Sequence, residues 1–366
     1  MNEKRNIIIS AALIGIISVA LVYLGNPANM GFCLACFVRD TAGSLGLHRA
    51  EVVQYLRPEL IGLILGSFLL ALGRKEFSPR GGSSPFTRFT LGFFAMVGAL
   101  MFLGCPFRML LRLAGGDLNA LVGLVGFIAG IGLGIFFLNK GFTLKRTHNF
   151  SKLEGASMPI VAILLLGLAL FAPSLLLFSQ EGPGSKHAPL LVALLAGLIV
   201  GALAQRTRFC MVGGIRDFLL FRETTLIIGF ITLFVVAMIA NIALGFFHPG
   251  FAGQPIAHTD GLWNFLGTAL LGFACVLLGG CPLRQFILAG EGNTDSAIAI
   301  LGLLVGAAFC HNFKLASSVD GPTTNGKIAV IIGFIVLLII AFSNSRETTD
   351  NKNIQHFLTG GFYGNN

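Results

Sequence analysis

The chain carries the same pair of short motifs twice. The first copy reads Phe32-Cys33, then Arg39-Asp40, then Gly104-Cys105-Pro106-Phe107-Arg108. The second copy reads Phe209-Cys210, then Arg216-Asp217, then Gly280-Cys281-Pro282-Leu283-Arg284. Cys210 follows Cys33 by 177 positions and Cys281 follows Cys105 by 176. Two distant motifs that recur at nearly one offset indicate a duplicated architecture, with thiols beside arginines in each copy.

The composition places this duplication in a membrane. Only 11% of the residues are charged and 55% are apolar, whereas soluble domains are about 25% charged. The mean hydropathy is +0.83, and the 48 glycines are easier to accommodate in spanning helices than in soluble ones. The net charge of +9 is dispersed between apolar runs, which argues against a nucleic-acid-binding surface. These features predict an all-α polytopic membrane protein.

Ten apolar segments are long enough to be candidate spans of about 20 residues. The first follows Lys4 and Arg5 and has no small-residue cleavage site, so we expect a retained helix rather than a signal peptide. The predicted spans cover 6–25, 51–73, 88–104, 118–138, 158–179, 188–204, 225–247, 262–279, 295–312 and 327–343.

The basic residues suggest an orientation for this layout. With the amino terminus inside, seventeen of the 25 Lys and Arg residues fall on inner segments and eight on outer ones. The bias predicts a multi-pass protein of the cell inner (plasma) membrane with both termini in the cytoplasm. The polar residues from 344 to 366 then form a cytoplasmic tail.

Four segments are too short to span, and they begin near Cys33, Cys105, Cys210 and Cys281. We interpret them as re-entrant half-helices. Five spans separate corresponding points of the two copies, so the second copy is expected to be inverted, as in many transporters. The predicted organisation is a first half (1–138), a linking loop with one spanning helix (139–187), a second half (188–325), a carboxy-terminal helix (326–343) and a tail (344–366).

The Gly-Cys-Pro triplets predict thiols at helix starts. Proline fits the first helical turn, so Pro106 and Pro282 place Cys105 and Cys281 at helix amino termini. Free backbone N–H groups there attract anions, and Arg108 and Arg284 lie within the same first turn. Each thiol could donate a weak S–H bond or attack as a thiolate. The alternative is that these cysteines are merely small buried residues.

Other residues are candidates for supporting roles. Cys33 is expected near the outer mouth and Cys210 near the inner mouth. Cys36 forms a C-x-x-C pair with Cys33 that could be redox-active, but without a second ligand pair we expect no metal site.

The adjacent charges of each copy are costly at bilayer depth. The pairs Arg39-Asp40 and Arg216-Asp217 are therefore expected to be either structural ion pairs or pathway residues. Asp117 and Asn293 occupy matching positions after two of the half-helices, where helix capping is the expected role.

The motifs resemble the YeeE/YedE family of sulfur-transport membrane proteins over nearly the whole chain. Residues 26–40, NPANMGFCLACFVRD, look like the YedE branch associated with selenium metabolism. The resemblance implies an hourglass of inverted repeats and uptake of thiosulfate through S–H contacts at Cys33, Cys105 and Cys281. It implies a selenium compound for the branch, without its chemical form.

We therefore expect a permease for a small sulfur- or selenium-containing anion, without a cofactor and with a cytoplasmic sulfur or selenium carrier protein as a candidate partner. No Walker-type motif is present in the sequence, so ATP hydrolysis by this chain is not expected. Two alternatives remain open: a membrane sulfur or selenium transferase that works through cysteine persulfides, and an anion channel whose thiols only pack.

Overall fold

A computed structural model describes residues 2–345 of the 366-residue chain. Two two-residue strands, β1 (Arg80–Gly81) and β2 (His148–Asn149), pair antiparallel in a loop region. All remaining regular structure is helical. The helices are α1 (Asn2–Tyr23), α2 (Leu34–Ser44), α3 (Pro58–Gly73), α4 (Pro85–Phe102), α5 (Pro106–Ala114), α6 (Asn119–Asn139), α7 (Lys152–Gly155), α8 (Ser157–Phe171), α9 (Leu190–Thr207), α10 (Met211–Phe221), α11 (Thr225–Ala243), α12 (Gly261–Leu278), α13 (Pro282–Gly290), α14 (Thr294–Asn312) and α15 (Thr324–Ser343), with three short 3₁₀ turns besides.

Nine helical stretches within residues 2–345 are long and apolar enough to cross a membrane. This confirms the predicted all-α polytopic membrane class. The last apolar segment forms α15, a helix of 20 residues. The predicted fifth span, 158–179, is shorter than expected: α8 has 15 residues, because the chain leaves the helix at Ala172 and turns through a 3₁₀ turn that begins at Pro173. Residues 346–366 of the predicted tail lie outside the described residues.

The long helices pack in parallel pairs through glycines. Gly126 and Gly130 of α6 face the carbonyls of Phe265 and Ala269 in α12. Gly302 and Gly306 of α14 face the carbonyls of Phe89 and Phe93 in α4. Each of these four residues in α14 and α4 corresponds to one of the four in α6 and α12, at a distance of 176 residues along the chain. Glycine lets helix backbones approach closely where lipid offers no hydrophobic driving force.

The same correspondence extends to other helices. Helix α1 packs against α11 as α9 packs against α3, and the half-helices α5 and α13 lie against α11 and α3, respectively. Helix α4 runs antiparallel to its counterpart α12, because the Met101 carbonyl contacts His258, just before α12, while Gly98 faces Leu271. These contacts support the predicted inverted repeat, although the exact boundaries at 138, 187 and 325 remain predictions.

The contacts also define two faces of the molecule. Helix α1 starts on the same face as α11, since Ile7 contacts Gly229 and Gly15 faces Leu233. Helix α15 ends beside the end of α6, where Thr143 donates to the Asn344 carbonyl. We call the face where α1 starts and α15 ends the terminal face, and the other the distal face. The four half-helices α2, α5, α10 and α13 lie between the long helices.

Candidate transport site

The four motif cysteines all occupy the position immediately before a half-helix. Cys33, Cys105, Cys210 and Cys281 are the N-cap residues of α2, α5, α10 and α13. Pro106 and Pro282 begin the first turns of α5 and α13, where a missing N–H costs nothing. Each thiol therefore lies beside backbone N–H groups that the helix itself cannot satisfy.

Three thiols meet in the first half of the chain. The Cys36 backbone N–H donates to the Cys33 sulfur at 3.3 Å, and the two Sγ atoms are 2.7 Å apart. Cys105, the N-cap of α5, belongs to the same region, because Arg108 in the first turn of α5 has its Nη1 3.9 Å from the Cys36 sulfur. The starts of α2 and α5 thus come together.

Two thiols meet in the second half. Cys210 and Cys281 have their Sγ atoms 3.8 Å apart. The Gly213 backbone N–H donates to the Cys210 sulfur at 3.3 Å, which repeats the contact between Cys36 and Cys33. The arrangement matches that of the first half, except that glycine replaces the additional cysteine.

One small cavity joins the two groups of thiols. Its volume is about 10 Å³, which is room for about one water molecule. Cys105 and Cys281 both line it, and apolar side chains supply much of the remaining wall. The full lining is Cys105, Pro106, Phe107, Met211, Phe230, Cys281 and Leu283. The starts of α5, α10 and α13 therefore converge at one narrow point.

Cys33 and Cys210 are both enclosed by protein. Cys33 was expected near one mouth and Cys210 near the other, and their exposed fractions are 0% and 5%. Residues 24–33 run inward beside α1, where Gly31 packs against the backbone of Ser18. Any bulkier residue at position 31 would clash there. The connecting segment thus carries Cys33 into the interior.

The two motif arginines are bound by protein groups. Arg108 is fully buried and donates to the backbone carbonyls of Asn29, Leu103, Pro255 and Ile256. Its Nη1 lies 3.9 Å from the Cys36 sulfur. Arg284 instead pairs with Glu291 at 3.1 Å. Although the motif is repeated, Arg108 contacts backbone carbonyls and a thiol, whereas Arg284 contacts a carboxylate.

The Arg-Asp pairs differ between the two halves. Asp40 is fully buried and pairs with both Arg39 and Arg57, each at 2.7 Å. Asp217 pairs with Arg216 at 2.8 Å, but its side chain is 28% exposed. The motif did not reveal Arg57, because this residue lies seventeen positions after Asp40. The sequence did contain a signal for Arg57, because this charged residue lies directly before Pro58, where the spanning helix α3 begins.

A second buried ion pair was not predicted. Arg112 contacts Asp117 at 2.6 Å, and both side chains are fully buried. Asp117 also accepts the first N–H of α6, from Asn119, so the expected capping role is accompanied by an ionic one. Asn293 is the N-cap of α14 and accepts the N–H of Ser296. The sequence signal for the ion pair of Arg112 and Asp117 was a second arginine in α5, four residues after Arg108.

A wider pocket opens at the terminal face. Its volume is about 410 Å³, and it lies where α9 ends, just before Cys210. A hydrogen bond from the Gln205 amide holds the pKa of Glu76 below its ordinary value, and Arg74 adds to this effect. The lining residues are Glu3, Asn6, Ile7, Arg74, Glu76, Gln205, Arg206, Thr207 and Arg208.

Comparison with known proteins gives two matches. Residues 206–346 match the family model described as sulphur transport. The chain is also 29% identical over 123 residues to the thiosulfate transporter TsuA of Escherichia coli (strain K12). That alignment covers 32% of this chain and 33% of the relative, so it spans about a third of the relative's length. The matches bear out the predicted resemblance to sulfur-transport membrane proteins.

Proposed function

We propose that this YeeE/YedE family protein is a membrane transporter for a small sulfur-containing anion that passes between the two groups of thiols. One observation carries the proposal: Cys105 and Cys281, from the two halves of the chain, line the same central cavity. Similarity to the sulphur transport family and to a thiosulfate transporter supports the choice of cargo.

The starts of the half-helices suit an anion that carries sulfur. Backbone N–H groups at these ends carry partial positive charge and can donate to anionic oxygens. Thiols are weak donors with polarizable sulfur atoms, so they hold a soft atom loosely. Conduction needs binding sites that the cargo can leave as well as enter. A line from Cys33 through Cys105 and Cys281 to Cys210 provides such weak contacts in series.

The described conformation is closed to this cargo. A cavity of about 10 Å³ holds no more than about one water molecule, and a sulfur oxyanion has several heavy atoms. Phe107 and Leu283, which occupy matching positions in the two halves, form part of its wall. Passage therefore requires the half-helix starts or these side chains to move apart.

The proposal also concerns which small anions the protein carries. Residues 26–40 resemble the selenium-associated YedE branch, whereas the similar TsuA is named a thiosulfate transporter. Thiosulfate and a small selenium anion share a negative charge and a polarizable chalcogen atom. We infer that small selenium anions and thiosulfate compete for one path, and that a cytoplasmic carrier protein accepts the anion that leaves it.

The test is flux into liposomes that contain the purified protein. Labelled thiosulfate and labelled selenium anions are added outside, and uptake is compared for the unaltered protein, Cys105→Ala and Cys281→Ala. Each substitution removes one thiol contact at the constriction, so uptake is expected to fall about two- to tenfold, the cost of one lost hydrogen bond.

Cys310→Ala is the matched control, because Cys310 is equally buried but lies in α14 outside the cavity lining. Its uptake is expected to match that of the unaltered protein. Equal uptake by protein-containing and empty liposomes for every anion would refute transport. Full uptake by both constriction variants would leave an anion channel in which the thiols only pack.

The short distances between thiols favour a second candidate, persulfide transfer. A thiolate at Cys210 could attack the outer sulfur of thiosulfate, forming a persulfide and releasing sulfite as the S–S bond breaks. Cys281, 3.8 Å away, could then receive that sulfur. Mass spectrometry of the protein after exposure to thiosulfate tests this step. Uptake with no added sulfur on any cysteine would favour simple passage.

A further inference from the structure

The contact between Cys33 and Cys36 has no role in the proposed passage. We propose that these two residues form a reversible disulfide, and that this oxidation closes the path by withdrawing the Cys33 thiol from Cys105. The site is a redox modification site at the start of α2. The gating part of the proposal depends on the transport function proposed above, whereas the disulfide itself does not.

The geometry brings the two sulfurs within bonding reach. Their Sγ atoms are 2.7 Å apart, against about 2.05 Å in a disulfide. Cys33 is the N-cap of α2 and Cys36 lies in the first turn, so one helix start holds both residues. The pair can therefore close by small side-chain rotations, without displacement of the helix.

Oxidation would change the path at a defined atom. The start of α2, which holds Cys33 and Cys36, meets the start of α5 through Arg108, and Cys105 at the start of α5 lines the central cavity. A disulfide consumes the S–H group of Cys33, leaving a sulfur that cannot donate. The passing anion then loses one contact next to the constriction. Arg108, whose Nη1 lies 3.9 Å from the Cys36 sulfur, remains fixed by its backbone partners.

The second half of the chain provides an internal comparison. Gly213 occupies the position that corresponds to Cys36, and its N–H meets Cys210 as the Cys36 N–H meets Cys33. A Cβ atom added at Gly213 would lie 3.4 Å from the Cys210 Cβ and 3.6 Å from its Sγ. Disulfides have Cβ–Cβ distances of about 3.5–4.5 Å. The backbone of the second half could thus hold the same bond, but only one thiol is present.

The reaction balances with a hydroperoxide as oxidant. One thiol attacks an oxygen of hydrogen peroxide, so the O–O bond breaks, a sulfenic acid forms and one water leaves. The second thiol then attacks that sulfur, forming the S–S bond and releasing a second water. In total, two thiols and one peroxide give one disulfide and two waters. Both cysteines are fully buried, so the oxidant has to be small and uncharged.

The first measurement is chemical and needs no transport. The purified protein is treated with hydrogen peroxide, alkylated under denaturing conditions and digested with trypsin. Cys33 and Cys36 lie in one fragment, residues 6–39, because no Lys or Arg occurs between Arg5 and Arg39. We expect this fragment to lose two hydrogen masses, to resist alkylation, and to recover both thiols with dithiothreitol.

The variants Cys36→Ser and Gly213→Cys sharpen the chemical test. Cys36→Ser is expected to leave the fragment alkylated at Cys33 after peroxide treatment. Gly213→Cys is expected to gain a second intramolecular disulfide with Cys210. Alkylation of both Cys33 and Cys36 after peroxide, or a bond between Cys33 and Cys105, would overturn the proposed pair.

The second measurement compares uptake into liposomes before oxidation, after oxidation and after reduction, so that each variant is its own reference. For the unaltered protein, peroxide is expected to lower uptake about tenfold, the cost of one lost contact, and dithiothreitol to restore it. In Cys36→Ser, the ratio of oxidised to reduced uptake is expected to stay near one.

Unchanged uptake in liposomes whose protein carries the mapped Cys33–Cys36 bond would refute the gating role. If reduced protein transports no anion at all, the proposed function fails, and the mapped fragment still decides whether the disulfide forms.

Discussion

At the residue scale, identical motifs have acquired different environments. Arg39-Asp40 is buried with Arg57 as a third member, whereas Arg216-Asp217 remains partly exposed. Cys36 meets a second thiol where the other half has Gly213. The first half therefore contains the more tightly enclosed polar groups. Adjacent charges in a sequence do not reveal whether a third residue will enclose them.

Removal of the buried carboxylate is expected to be far more damaging than removal of its counterpart. Asp40→Ala leaves two buried guanidinium groups unpaired and should lower the free energy of unfolding by about 3–5 kcal/mol. Asp217→Ala breaks a partly solvated pair and should cost at most about 1 kcal/mol. Thermal unfolding in detergent micelles measures both variants. Equal losses would contradict the difference in burial.

At the element scale, glycine rows determine how the long helices meet. The paired helices α6 with α12 and α14 with α4 use the same contacts at an offset of 176 residues. Helix α5 packs against α6 of one pair, and α13 packs against α14 of the other. The positions of Cys105 and Cys281, at the starts of these half-helices, thus depend on helices whose spacing the glycines set.

A pair of substitutions in α6 tests this packing. A side chain at Gly130 would clash with the carbonyl of Ala269, whereas Gly132 has no heavy atom within 4 Å of an added Cβ. Gly130→Ala is expected to destabilise the protein by about 1–3 kcal/mol through overpacking. Gly132→Ala is expected to be neutral or to stabilise by up to about 1 kcal/mol, because alanine favours the helix.

Thermal unfolding in one detergent compares these two variants directly. A Gly130→Ala protein as stable as Gly132→Ala would show that α6 and α12 do not touch through this row.

At the scale of the whole molecule, both described ends of the chain lie on the terminal face. Four of the eight basic residues assigned to outer segments, Arg39, Arg57, Arg108 and Arg112, are buried. They form ion pairs and backbone contacts instead of marking a loop at the membrane surface. Among the basic residues that remain at the surface, the excess on the terminal face is therefore larger than the sequence count suggested. This excess supports the proposal that the terminal face is cytoplasmic.

Reporter fusions in a bacterial host test this orientation. A fluorescent protein fused at the amino terminus or after residue 345 should fluoresce, because it folds in the cytoplasm. Alkaline phosphatase inserted within residues 180–186, on the distal face between α8 and α9, should be active because it reaches the oxidising side. The reverse pattern of activities would invert the proposed orientation.

Local sequence determined the elements and their repetition. Apolar runs, prolines at helix starts and motifs spaced by 176 or 177 residues were sufficient to predict the membrane class, the half-helices and the cysteines at their starts. These features depend on short-range chemistry: hydrophobic length, the missing N–H of proline and the packing preference of glycine. The inverted arrangement was likewise accessible, because an odd number of spans separates the copies.

Only the tertiary structure decided which of these groups meet. It brought Arg57 to Asp40 and Arg112 to Asp117, buried Cys33, and paired Arg284 with Glu291 while Arg108 stayed beside the thiols. Such contacts join residues from different helices or turns, and their distances depend on how the whole bundle closes. The physical reason is that burial and pairing are properties of the packed molecule, whereas periodicity and motif spacing belong to each segment alone.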